Sequence, residues 1–134
     1  RYTEAVIKNF RLDDRKTVIT TEVNDKYGSS GLTALAILCL KSSEIETFLL
    51  SCRILGRNIE YKFIDIIIDI AKQNNVKVLK ASFIKTQKNS QVMDFYRECK
   101  FDMIEKTIDS SIYSVDINSF KYKNIKYIEV EDGK

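Results

Sequence analysis

The sequence predicts an α+β domain, a mixed and mostly antiparallel central sheet flanked by helices, with residues 1–134 forming a single unit. Three observations carry this expectation. The first half is built from β-branched and apolar runs joined by turn residues. Residues 58–73 then switch to the periodicity of an amphipathic helix. Strand, helix and strands follow, an order that indicates a mixed sheet rather than a bundle or a sandwich.

Taken in order, residues 3–10 read as a short helix, with Thr3 placed to cap it and Ala5, Val6 and Phe10 as its apolar positions. Residues 17–23 are rich in β-branched side chains and read as a strand. Residues 24–31 hold turn chemistry, including Gly28 and Gly31, and residues 32–40 are apolar on both alternating faces, as a central strand should be. A turn at residues 41–43 leads into a strand over 44–53. The helix at 58–73 places Ile59, Phe63, Ile66, Ile67 and Ile70 on one face, with Lys62, Asp65, Asp69 and Lys72 on the other. Asn74 and Asn75 end it. A strand at 76–83 follows, then a second helix at 90–99 with Val92, Phe95, Tyr96 and Cys99 inward, a hairpin from 101–107 and 111–117, and a short strand near 126–130.

Composition removes several function classes. With 44% hydrophobic and 10% aromatic residues the chain can bury a core. Its formal charge of +3 is spread over 22 basic and 19 acidic side chains, with no long run of either sign, so no nucleic-acid partner is expected. A mildly basic balance suits anionic small molecules or an acidic protein. There is no histidine, which excludes Ser-His and Cys-His catalytic pairs and any imidazole base or ligand. The three cysteines, Cys39, Cys52 and Cys99, are odd in number and lack CxxC spacing, which argues against a disulfide framework and against a metal site. No stretch approaches the roughly 18 apolar residues needed to cross a bilayer, and a cytoplasmic setting without membrane contact is the expectation.

The most informative stretch runs from Leu49 through Cys52, Arg53, Ile54, Gly56, Arg57 and Asn58 to Ile59, a strand passing through a glycine turn into a helix. Such a turn aims the unpaired N–H groups of the helix start, and its dipole, at one point where a phosphate can sit. Gly56 permits close backbone approach, Arg53 and Arg57 add positive charge, and Ile54 and Ile59 contribute backbone N–H groups. An ordinary strand-to-helix turn with two solvated arginines is the competing reading. Cys52 alternates with Leu50 and Phe48 and reads as a buried thiol. Its neighbours Arg53 and the helix start would equally favour a thiolate, able to hold an acyl group as a covalent relay.

This stretch resembles the GNAT acetyltransferase motif, Gln or Arg, two residues, Gly, one residue, Gly or Ala, with Arg53 and Gly56 at the first two signature positions and Asn58 at the third. The longer run of residues 47–57 is similar to the signature of FkbH-like proteins. That resemblance continues through residues 24–32, like an Asp-Arg-Phe-Gly-x-x-Gly-Leu segment, and through Thr86, Gln87, Lys88 and Asn89 to Asp94, Phe95 and Tyr96. It covers residues 1–107. The resemblance implies the GNAT fold and the C-terminal half of a longer polypeptide whose N-terminal domain is of the HAD type. It also implies an acyltransferase that acts on the phosphopantetheine thiol of an acyl carrier protein, moving a glyceryl-type group, with no metal in this domain. Tyr96 then matches the tyrosine that can donate a proton to the departing thiolate, and Asn89 matches the asparagine beside the pantetheine arm. Lys100 stands where the family has the glycine of a Gly-Phe pair, with Phe101 as the match. A core role for Tyr96 and a capping role for Asn89 remain the alternatives from residue pattern alone. Two further functional readings stay open: a coenzyme A-dependent N-acetyltransferase, and a non-catalytic domain that docks the carrier.

Overall fold

The fold is described from a computed structural model, over residues 3–25, 28–51, 58–84, 94–126 and 128–132. Strands β1 (Thr3–Arg11), β2 (Lys16–Asp25), β3 (Gly28–Cys39) and β4 (Glu44–Leu50) form an antiparallel meander. Helix α1 (Ile59–Gln73) carries the chain to β5 (Val78–Ile84), which pairs with β4 in parallel. A four-residue helix α2 (Phe95–Glu98) precedes the β6 (Asp102–Lys106) and β7 (Ser110–Asp116) hairpin. Strand β8 (Glu129–Asp132) lies parallel to β1, giving one eight-stranded sheet of order β6-β7-β5-β4-β3-β2-β1-β8.

The first segment is a strand, not the helix expected from its capping threonine. Thr3, Ala5 and Ile7 are buried while Glu4, Val6 and Lys8 are not, which is the two-residue alternation of a half-buried strand. Its register against β2 runs from Thr3↔Asp25 to Arg11↔Thr17, and β8 pairs with its other edge. Ladders on both sides outweigh the weak local helix preference. The turn that closes this hairpin is held by Asp13, whose carboxylate accepts from the N–H groups of Arg15 and Lys16 at 2.7 and 2.9 Å.

The strands expected at 17–23, 32–40 and 76–83, the helix at 58–73 and the hairpin at 101–117 form. Strands β2 and β3 run into the expected turn at 24–31, the last strand lies at Glu129–Asp132 rather than 126–130, and of the expected strand at 44–53 and helix at 90–99 the described parts are Glu44–Leu50 and Phe95–Glu98. Both glycines of the β2-β3 connection have positive φ, +118° at Gly28 and +68° at Gly31, where a side chain would be strained. Helix α1 packs Ile59, Phe63, Ile64, Ile67, Ile68 and Ala71 into the core beside Ile19, Val23, Leu38, Ile45 and Leu79 of the sheet. Its burial extends further round than the sequence pattern indicates. Asp65, on the polar side, is buried because residues 122–126 cross over it: its two carboxylate oxygens accept from the N–H groups of Lys123 and Asn124 at 3.2 and 3.1 Å. Tyr122 donates to Asp69 at 2.7 Å, and Lys62 donates to the Ile125 carbonyl at 3.2 Å.

Candidate active site

Strands β4 and β5 share only two paired positions, Glu44↔Lys80 and Ile45↔Ala81, although β4 continues to Leu50 and β5 to Ile84. Each strand keeps its other neighbour. Leu50 still pairs with Ala34, Ser51 N–H donates to the Thr33 carbonyl at 2.8 Å, and Ile84 pairs with Ser110 of β7. The two halves of the sheet therefore part at the ends from which the chain enters α1 and approaches α2. Past Ile45 and Ala81 no ladder pair joins the two strands among the described residues, and such a parting of parallel strands has room for an extended ligand between them.

Aromatic rings back this opening on the helix side. Phe48 of β4 lies 5.7 Å from Phe63 of α1, 5.2 Å from Phe95 and 5.9 Å from Tyr96 between ring centroids. Tyr61, in the first turn of α1, stands 5.4 Å from Phe95 and donates its hydroxyl to Glu98 at 3.0 Å, tying α1 to α2. Burial and the Glu98 hydrogen bond push the Tyr61 phenol up to about 12. Lys123 adds a cation 5.1 Å from the Tyr61 ring centroid.

At the start of α1, Asn58 has φ 67° and ψ 4°, and its side chain makes no capping hydrogen bond. It occupies the N-cap position in the left-handed conformation rather than acting as a side-chain cap. Glycine adopts that conformation freely, and asparagine is the next best tolerated. Lys100 likewise has φ 67°. Both positions, where the motifs that the sequence resembles carry a small residue or glycine, thus hold a backbone conformation that glycine adopts freely. The first intrahelical bond runs from Lys62 N–H to the Asn58 carbonyl at 3.1 Å, so the N–H groups of Ile59, Glu60 and Tyr61 precede the ladder at this helix end. The Ile59 side chain is buried in the core.

Tyr96 is 5% exposed and touches Phe48, Phe95, Phe101 and Tyr113, which makes it a member of the core. Burial raises its phenol well above the ordinary tyrosine range, so it stays protonated. Such a group donates a hydrogen bond to a developing thiolate more readily than it surrenders its proton. Cys99 is buried, with its thiol pushed up to about 12, and Cys39 is buried at the end of β3. Of the expected site residues, the structure brings Asn58, Ile59 and Tyr96 to the same end of the sheet. Cys52, Arg53, Ile54, Gly56, Arg57 and Asn89 lie outside the described residues. Sequence reading missed Phe48, Tyr61 and Glu98 as parts of this region, since nothing local signals that a ring on β4 meets one on α2.

Among the described residues no group of acidic or cysteine side chains could hold a metal ion, and no helix is long and apolar enough to cross a membrane.

No protein-family model matches the chain, and no curated protein matches its sequence. Solved structures do match its fold. An acetyltransferase of the GNAT family from Staphylococcus aureus is similar at 14% identity, with 75% of this chain and 68% of that chain covered and a TM-score of 0.56. The ribosomal-protein-S18-alanine N-acetyltransferase from Escherichia coli is similar at 14% identity over 85% of this chain and 76% of that one, with a TM-score of 0.59. A Bacillus subtilis acetyltransferase in complex with CoA is similar at 10% identity over 84% of this chain and 98% of that one, with a TM-score of 0.61. This chain has the GNAT fold.

Proposed function

We propose that this chain is an acyltransferase domain that binds a phosphopantetheine thioester at the parting of β4 and β5. The observation that carries the reading is the combination of that parting, two paired positions and then none, with a left-handed Asn58 at the start of α1. An extended pantetheine arm can bond along strand edges freed from each other, while its phosphate lies at the N–H groups of the first turn of α1, with Arg53 and Arg57 as neighbours in sequence. The residues present fit such a donor, whose thioester supplies the activated acyl group. Tyr96 keeps its phenolic proton and stabilises the leaving sulfur by donating a hydrogen bond, and the rings of Phe48 and Phe95 exclude water from the inner end of the opening.

In its finer form, carried by the resemblance to FkbH-like proteins, the reading is transfer or positioning of a glyceryl-type group on the phosphopantetheine thiol of an acyl carrier protein, in concert with a HAD-type domain of the same polypeptide. Asn89 then lies beside the arm and Cys52 is the relay thiol. A second reading, favoured by the fold shared with a CoA-bound acetyltransferase, is coenzyme A-dependent N-acetyl transfer.

Thermal unfolding in the presence of free coenzyme A, and of the holo and apo forms of an acyl carrier protein, separates these. A rise in midpoint specific to the holo carrier supports the carrier reading. A rise with coenzyme A alone supports the second. No shift with any of them would sink the phosphopantetheine reading altogether.

A further inference from the structure

The two edges of the sheet differ in what they can meet. Strand β8 ends one side and β6 the other, and each turns outward a row of backbone N–H and C=O groups with no strand beside them among the described residues. Strand β8 reads Glu129-Val130-Glu131-Asp132, three acids in four residues, and like charges set opposite one another oppose the pairing of such an edge with a copy of itself. Strand β6 reads Asp102-Met103-Ile104-Glu105-Lys106, with both signs of charge around two apolar residues, and all five are exposed. Ile104 is 54% exposed, and Ile108, in the turn that follows, is 93% exposed.

Two copies of one strand pair antiparallel about a two-fold axis, so the register is set by the point that lies on that axis. The register that uses all five residues of β6 is centred on Ile104. It sets Asp102 opposite the partner's Lys106, Lys106 opposite the partner's Asp102, and Ile104 opposite its own copy, two ion pairs around an apolar contact. A slip of one residue leaves four residues in the pair: in one direction it sets Asp102 against Glu105, and in the other it joins no opposite charges. The Asp102 and Lys106 side chains are free for this pairing, with no hydrogen bond or ion pair among the described residues. The ladder between β6 and β7 has a bulge between Met103 and Glu105. A short, bulged edge resists open-ended growth, whereas a two-fold pair closes on itself and needs only these five residues.

We propose that β6 joins a second copy of this chain, edge to edge and antiparallel about Ile104, so that the two sheets continue into one across the dimer. The occupant is a copy of the chain because the charge pattern of β6 is complementary to itself. An unrelated extended peptide would use the same backbone groups with no call on Asp102 and Lys106. Strands β7 and β5 stand between β6 and the parting of β4 and β5. At the usual strand spacing that is roughly 10 Å, so the opening of each copy stays accessible in the dimer. The inference is independent of the phosphopantetheine reading.

Sedimentation equilibrium over a range of concentrations, in low salt, tests this. The wild type is expected to pass from the mass of one chain to twice that mass and no further. Asp102→Lys sets like charges at both ends of the pair, as does Lys106→Asp, and each alone is expected to weaken association by roughly tenfold or more. Mixed in equal amounts, the two variants are complementary again, and a mixed dimer forms at concentrations where each alone stays single. The chain carrying both substitutions regains the association of the wild type. Both positions are exposed, so the variants are expected to fold, and melting curves check this. A wild type that remains a single chain throughout, growth beyond two chains, a dimer indifferent to either substitution, or folded variants that do not rescue each other would overturn the proposal.

Discussion

Asn58 and Lys100 hold the same left-handed backbone angle, φ 67° in each, one at the entry to α1 and the other just past α2. For a side chain with a Cβ that angle carries a penalty of about 1–2 kcal/mol, less for asparagine. Lys100→Gly removes it at the expense of unfolded-chain entropy, for an expected net gain of about 0.5 kcal/mol. Asn58→Ala is expected to lower stability by about 1 kcal/mol, because alanine tolerates the left-handed conformation less well than asparagine does. Urea denaturation of the three proteins reads both changes.

Thr21 is fully buried on β2, and its hydroxyl has no partner among the described residues. The backbone around it is satisfied, with Thr33 donating its hydroxyl to the Thr21 carbonyl at 3.2 Å. Valine has the same shape without the stranded hydroxyl, so Thr21→Val is expected to stabilise the fold by about 1 kcal/mol. A melting temperature that falls instead would show that the hydroxyl is bonded in solution.

Asp65 gives the clasp over α1 a dependence on pH. Burial raises its carboxyl above the ordinary 3.8, although hydrogen bonds from Asn124 and Lys123 oppose the rise. The folded state thus keeps this proton to a higher pH than the unfolded state does. Between the two values the native chain binds more protons, and the contribution of Asp65 to stability falls as pH increases. Above the folded value it is constant. Subtracting the stability profile of Asp65→Asn from that of the wild type isolates this slope on the side above the ordinary 3.8. A difference that rises with pH would contradict it.

Tyr96→Phe separates a packing role from a chemical one. The ring contacts with Phe48, Phe95, Phe101 and Tyr113 survive the change. If the phenol donates to the leaving sulfur, turnover drops by about 10²-fold with little effect on KM or on melting temperature. An unaltered turnover, measured beside a Phe48→Ala control expected to lose about 3 kcal/mol of stability, would leave Tyr96 as a core residue only.

Tyr61 joins the two helices that flank the opening. Tyr61→Phe deletes its 3.0 Å hydrogen bond to Glu98 while keeping the ring against Phe95. A loss of about 1 kcal/mol is expected. Faster amide exchange in the first turn of α1 should accompany it, and unchanged exchange there would show that the ring alone holds the two helices together.

Where local pattern and final environment agree, the sequence was a sufficient guide. The β-branched run at residues 17–23 and the apolar stripe of α1 each lie where they are buried, and Gly28 and Gly31 both have the positive φ that turn chemistry calls for. Of the motif around Arg53, Gly56 and Asn58, only Asn58 lies among the described residues, and its positive φ is a backbone conformation that glycine adopts freely. The segment at residues 3–10 misled because its cap and apolar residues fit a helix as well as a strand.

By itself, then, the sequence determined the class of fold and the order of the described elements after the first, since these depend on periodicity and backbone preference within a few residues. Only the tertiary structure decided that β1 is a strand, that β4 and β5 part after Ile45, and that Phe48 meets Phe95. It also decided that residues 122–125 bury Asp65. Each of these depends on ladder partners or side chains distant in the chain, and their free energies exist only once the sheet has assembled.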